Sequence, residues 1–108
     1  MKKPKGCALA PGERGKCRAR ENIDGKITCA TYAFPSVLDI DPVEKKPLYH
    51  FLPGTPILSV GTAGCNLRCA FCQNWDLSKI NRGGSQKISP TQLVDLAIDK
   101  ELRSIAYT

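Results

Sequence analysis

No stretch of the 108-residue chain approaches the ~18 consecutive apolar residues of a membrane-spanning helix. Its basic start is not followed by the apolar run of ~7–15 residues that a secretory signal needs, so a cytoplasmic location is expected. Internal repeats and low-complexity segments are also missing, which removes solenoids and arrays. Hydrophobic residues make up 42% and charged residues 24%, near the averages for soluble globular chains, and neither a disordered tail nor a fibrous protein fits. At ~100–200 residues per domain the length allows one small domain.

The formal net charge of +6 is unevenly placed. Residues 1–20 hold seven Lys and Arg (Lys2, Lys3, Lys5, Arg14, Lys16, Arg18, Arg20) against one acid, Glu13, while the remainder balances. The positive charge therefore belongs to a Gly- and Pro-containing N-terminal segment, expected to be a solvated tail in preference to a nucleic-acid arm.

Prolines and glycines punctuate the chain as far as Gly54 and leave no room for a long helix. Short strands joined by turns are expected, including a hairpin about Asp24-Gly25 with 27–32 as its second strand. Beyond it, Pro56–Gly61 is a short apolar run of the kind that forms a buried strand. Ser89-Pro90-Thr91-Gln92 carries a helix start: Ser as N-cap, Pro at the first helical position and Gln three residues after the cap. Leu93, Leu96, Ala97 and Lys100 mark one face, widened by Val94 and Ile98, of a helix from Pro90 to about Glu101. Residues 104–108 read as a second strand, so strand, loop, helix and strand compose one βαβ unit with parallel strands. A parallel sheet is normally covered on both faces, and one unit cannot provide that cover. Two segments are thus expected: 1–54, a Cys-containing extension of turns and short strands, and 55–108, the βαβ unit.

The chain has six cysteines. In a reducing compartment they are more naturally metal ligands or catalytic thiols than a disulfide framework. Cys65, Cys69 and Cys72 stand at C-x-x-x-C-x-x-C spacing. Thiolates select zinc, copper(I) or iron–sulfur clusters. A structural zinc needs four ligands and would recruit Cys7, Cys17 or Cys29, and an electron-transfer cluster likewise needs a fourth ligand. A four-iron cluster on three cysteines leaves one iron open, an arrangement suited to catalysis.

This spacing, with the aromatic Phe71 just before the last cysteine, resembles the radical S-adenosylmethionine (SAM) superfamily. The stretches 41–54 (DPVEKKPLYHFLPG) and 72–75 (CQNW) are similar to the AmmeMemoRadiSam-system radical SAM enzymes, relatives of the pyruvate formate-lyase activating enzymes. The segment 7–17 resembles that family's cysteine-containing N-terminal segment. The resemblance implies that Cys65, Cys69 and Cys72 hold a [4Fe-4S] cluster, that SAM chelates the open iron, and that Phe71 lies by the adenine. Reductive cleavage of SAM would then give a 5′-deoxyadenosyl radical that abstracts hydrogen from an unidentified substrate, a protein among the candidates. Flavodoxin or ferredoxin would be a typical electron donor; no membrane partner is expected and nucleic acid is disfavoured. The implied fold is α/β, the beginning of a partial (βα)6 barrel preceded by a short irregular and β segment.

Departures from the family pattern accompany the likeness. The family's Gly-Gly-Glu-like element, which grips the SAM amino group, should follow the second strand and is missing. Gly83-Gly84 lies before the helix and reads as loop flexibility. A further upstream cysteine pair is also absent, and a chain shortened at both ends, inactive alone, is the expectation. Plainer readings apply elsewhere: His50 as a packed or hydrogen-bonded histidine, Trp75 and Tyr107 as core or cluster-shielding residues, and Cys7, Cys17 and Cys29 as structural thiols before a second metal site. On composition alone, Asp41–Pro47 reads as a solvated turn. The rival functions are a small zinc module and an iron–sulfur electron carrier.

Overall fold

In a computed structural model, residues 7–80, 84 and 86–108 are described. Among these residues, five short strands in two small sheets and one α-helix form a mixed α/β arrangement.

Strands β1 (Arg20–Ile23) and β2 (Lys26–Cys29) form an antiparallel hairpin. Asp24 and Gly25 both take positive φ, 49° and 82°, as a two-residue turn with primed geometry demands. This is the expected hairpin, but its second strand stops at Cys29. The described residues preceding it, 7–19, are not a free tail, although Arg14, Lys16 and Arg18 keep their charges exposed. Gly12 N–H donates to Asn22 O (2.7 Å), Gly15 N–H to Arg20 O (2.8 Å), and Arg14 bridges to Glu21. Backbone groups of 12–15 find their partners along β1, so the basic segment from residue 7 onward folds back on the hairpin. Lys2, Lys3 and Lys5 lie outside the described residues.

The second sheet has the order β3-β4-β5, with β3 Val37–Pro42, β4 Pro56–Gly61 and β5 Ile105–Tyr107. β4 and β5 are parallel and joined through helix α1 (Pro90–Asp99), as the βαβ reading expects. β3 is antiparallel to β4 and pairs along its whole length, Val37 opposite Gly61 and Pro42 opposite Pro56. The sheet is therefore mixed, and a division at residue 54 falls between two of its strands.

Ser89 caps α1. Its hydroxyl accepts from Gln92 N–H, while the Gln92 side chain accepts from Ser89 N–H, completing the capping box. The helix ends at Asp99, and Glu101 turns the chain with φ 54°. Leu93, Leu96 and Ala97 pack with Leu102 on Leu58 and Val60 of β4. Val94 and Ile98 stay exposed, so the apolar stripe is narrower than the sequence pattern suggests.

Alternation along β4 sends Ile57, Ser59 and Gly61 to its other face. All three are buried there, although this face is polar at its centre. Asp41 of β3 accepts from the Ser59 hydroxyl (2.6 Å) and from Lys45 (2.6 Å), with the Lys46 ammonium 3.6 Å away. A 3-10 turn, Val43–Lys45, returns both lysines toward the carboxylate, and Val43 beneath it is fully buried. Glu44 accepts from Gly54 N–H (2.7 Å), closing the loop that follows. The reading of Asp41–Pro47 as a solvated turn is thus corrected: a strand and a satisfied buried carboxylate occupy its start.

Three further expectations change. His50 is exposed between exposed Tyr49 and Phe51, in the connection between β3 and β4. Trp75 and Tyr107 are 52% and 65% exposed, so neither is a core residue. Gly84 is not a flexible position, since a Cβ there would stand 1.8 Å from Pro35 O; only glycine permits this approach. Gly83 lies outside the described residues. Among the described residues, no helix is long and apolar enough to cross a membrane.

Candidate functional site

β4 ends at Gly61, and an irregular loop with tight turns at 70–71 and 73–74 carries the chain to a π-helical turn, Asp76–Ile80. Cys65, Cys69 and Cys72 all lie on this loop, half-buried and outside any disulfide. The loop leaves the carboxyl end of β4, beside the parallel strand β5. Crevices at the carboxyl ends of parallel strands are where open α/β sheets bind ligands.

Both ends of the loop are tied to the π turn. Gly64 N–H donates to Leu77 O (3.1 Å), and the Lys79 ammonium donates to the carbonyls of Cys65 (3.3 Å) and Leu67. At the other end Cys72 Sγ and Ser78 Oγ are 3.5 Å apart, while Leu67 N–H donates weakly to Cys65 Sγ at 3.4 Å. Gly64 itself has φ 94°, and a Cβ on it would stand 2.5 Å from Cys17 O and 3.0 Å from Ala19 N. Position 64 therefore requires glycine twice over, for its dihedral and for the N-terminal segment laid against it. Arg18 follows at the same place and donates to Lys79 O.

As a donor set, three free, partly accessible thiols suit a thiophilic metal or an iron–sulfur cluster. Their sulfurs are not gathered in advance: among the described residues no group of three or more His, Cys, Asp and Glu side chains is arranged to hold a metal ion. A metal would complete the site by drawing the loop around itself, as coupled metal binding and folding does elsewhere. Phe71 is 87% exposed, with its ring free to meet a planar ligand.

Among the other cysteines, Cys7 and Cys17 are half-buried and Cys29 is exposed. Partial burial works to raise the Cys29 thiol, but its contacts with Thr31 and the Arg20 guanidinium outweigh burial and hold it below its ordinary range. The sequence reading missed Lys79, Ser78 and Arg18. Their only signal was charge and polarity flanking a cysteine motif, which many surface residues share.

No family model matches the chain, and no solved structure matches it. It is 41% identical over 107 residues to an uncharacterized protein of Methanocaldococcus jannaschii. That alignment takes in 97% of this chain and 32% of the relative, so the chain spans about a third of the length of the curated protein it resembles.

Proposed function

We propose that this chain carries the cluster-binding portion of a radical SAM enzyme, with Cys65, Cys69 and Cys72 holding a [4Fe-4S] cluster and SAM on the remaining iron. The observation that carries this reading is the three-cysteine spacing with Phe71, set on a loop at the carboxyl end of a parallel strand. In the same proposal β4, α1 and β5 are the first unit of a partial (βα)6 barrel. When bound, the cluster with SAM supplies one-electron cleavage to methionine and a 5′-deoxyadenosyl radical, the oxidant for a C–H bond of an unidentified substrate. Flavodoxin or ferredoxin is the class of donor for that electron.

The chain's own residues bind, orient and shield. Cys65, Cys69 and Cys72 would supply three thiolate ligands to such a cluster, one fewer than its irons. Phe71, unpacked by the rest of the chain, offers its ring to the adenine. Lys79 and Ser78 hold the loop from its two ends, and such outer partners orient metal ligands and tune the metal.

A zinc module is the second reading. It is favoured by the contact of Gly64 with Cys17 O, which brings the backbone of a fourth cysteine beside the loop. Anaerobic reconstitution with iron and sulfide, iron counting, and electron paramagnetic resonance of the reduced protein with and without SAM separate the two. Four irons per chain and a signal altered by SAM support the radical enzyme. One tightly held zinc with no cluster uptake sinks that reading and leaves the zinc module.

A further inference from the structure

The thiol loop is held from outside by a short chain of contacts that begins in the N-terminal segment. Arg18 donates to Lys79 O, and the Lys79 ammonium donates in turn to the carbonyls of Cys65 and Leu67. Two features mark this chain as built. Arg18 occupies the left-handed region, φ 62°, a backbone conformation that a residue with a Cβ adopts uncommonly and at a cost. Lys79 sits in a π-helical turn, a local irregularity that widens the helix and re-aims its side chains. Gly64, with the backbone of 17–19 against it, closes the remaining side. The contact between residue 18 and residue 79 thus couples two parts of the sequence at the point where the first ligand cysteine is presented.

We propose that Arg18 and Lys79 are positioning residues of the thiol site. Lys79 fixes the backbone around Cys65, and Arg18 fixes Lys79, so the N-terminal segment is part of the site's architecture and its two cations lie beside the bound metal. The inference rests on the reading of 65–72 as a metal-holding loop, and it carries two separable consequences. In metal-free protein, the clamp restrains Cys65. In loaded protein, a cation beside an anionic thiolate cluster favours the reduced state, so removing it drives the reduction potential more negative.

The test uses the full chain with Lys79→Met, Lys79→Arg and Arg18→Gln. Thiol alkylation by iodoacetamide is followed residue by residue by mass spectrometry in metal-free protein, with Cys29 as the reference outside the loop. Lys79→Met should accelerate Cys65 alkylation roughly threefold to tenfold, the fold-change that the net contribution of one ordinary, partly exposed hydrogen bond gives. Lys79→Arg should restore the slow rate, Arg18→Gln should move Cys65 in the same direction as Lys79→Met, and Cys29 should keep its rate throughout. In iron-reconstituted protein, the potential should shift negative in Lys79→Met and return in Lys79→Arg.

A Cys65 rate unchanged in both Lys79→Met and Arg18→Gln, with amide hydrogen exchange over 64–67, which does not depend on thiolate formation, and the Cys29 rate also unchanged, overturns the clamp. An unchanged potential overturns its electrostatic part. If Lys79→Met fails to fold, Arg18→Gln decides by the same two readouts. Should the wild-type chain take up no iron, the radical SAM reading fails, while the alkylation rates still decide whether Arg18 and Lys79 position the loop.

Discussion

Asp41 shows how one carboxylate organises its neighbourhood. Lys45 donates to it first among its partners, Ser59 donates from β4, and Lys46 adds charge, and together they hold the carboxyl below its ordinary value of 3.8. The folded value lies below the unfolded one, so the stabilisation is complete above the unfolded value and fades as pH falls through the folded value. As pH falls below about 4 the thermal midpoint of the wild type should therefore fall more steeply than that of Asp41→Asn, as circular dichroism melts can show. Ser59→Ala removes a buried donor from the same carboxylate and should cost roughly 1–3 kcal/mol in urea unfolding at neutral pH. At Gly84 the constraint is steric. Gly84→Ala forces a carbon against Pro35 O, and an overpacking cost of about 1–3 kcal/mol is expected from the same titration. None of these pairings was legible in the sequence, because Asp41 and Ser59 are eighteen residues apart and meet only across a strand register.

Among the elements, α1 was the most legible. Its cap, first-turn proline and Gln at the third position act within four residues, so local chemistry sets the start without help from the fold. Ser89→Ala should cost about 1 kcal/mol, measured by urea unfolding followed at 222 nm. The hairpin about Asp24-Gly25 was legible for the same reason, since the turn residues alone select the geometry. β3 was not. Most of its residues are exposed, and Asp39 and Asp41 within it imitate a turn; its strand character comes from pairing with β4, a tertiary event. The extent of α1's buried face was likewise settled by packing, because the sheet beneath it is only three strands wide and leaves Ile98 uncovered.

At the scale of the molecule, the thiol loop is where two distant regions converge. Residues 17–19 lie against Gly64, and the π turn holds both ends of 65–72. A metal that gathers the three sulfurs should therefore slow amide hydrogen exchange in 62–75 and also in 15–19, while leaving α1 unchanged. Exchange measured by mass spectrometry on iron-reconstituted and metal-free protein checks this. Protection confined to 62–75 would separate the N-terminal segment from the site.

Residue order alone determined the spacing of Cys65, Cys69 and Cys72, the aromatic Phe71 just before the last of them, the hairpin turn, and the start of α1. Each depends on neighbours within a few positions, where backbone geometry leaves few choices. The tertiary structure alone decided that β3 completes the sheet, that residues 12–15 fold back on the hairpin, that Asp41 is buried among Ser59 and two lysines, and that Arg18 reaches Lys79. These are contacts between residues far apart in sequence, and each forms only because packing an apolar face brings particular backbone segments close enough for polar groups to satisfy one another.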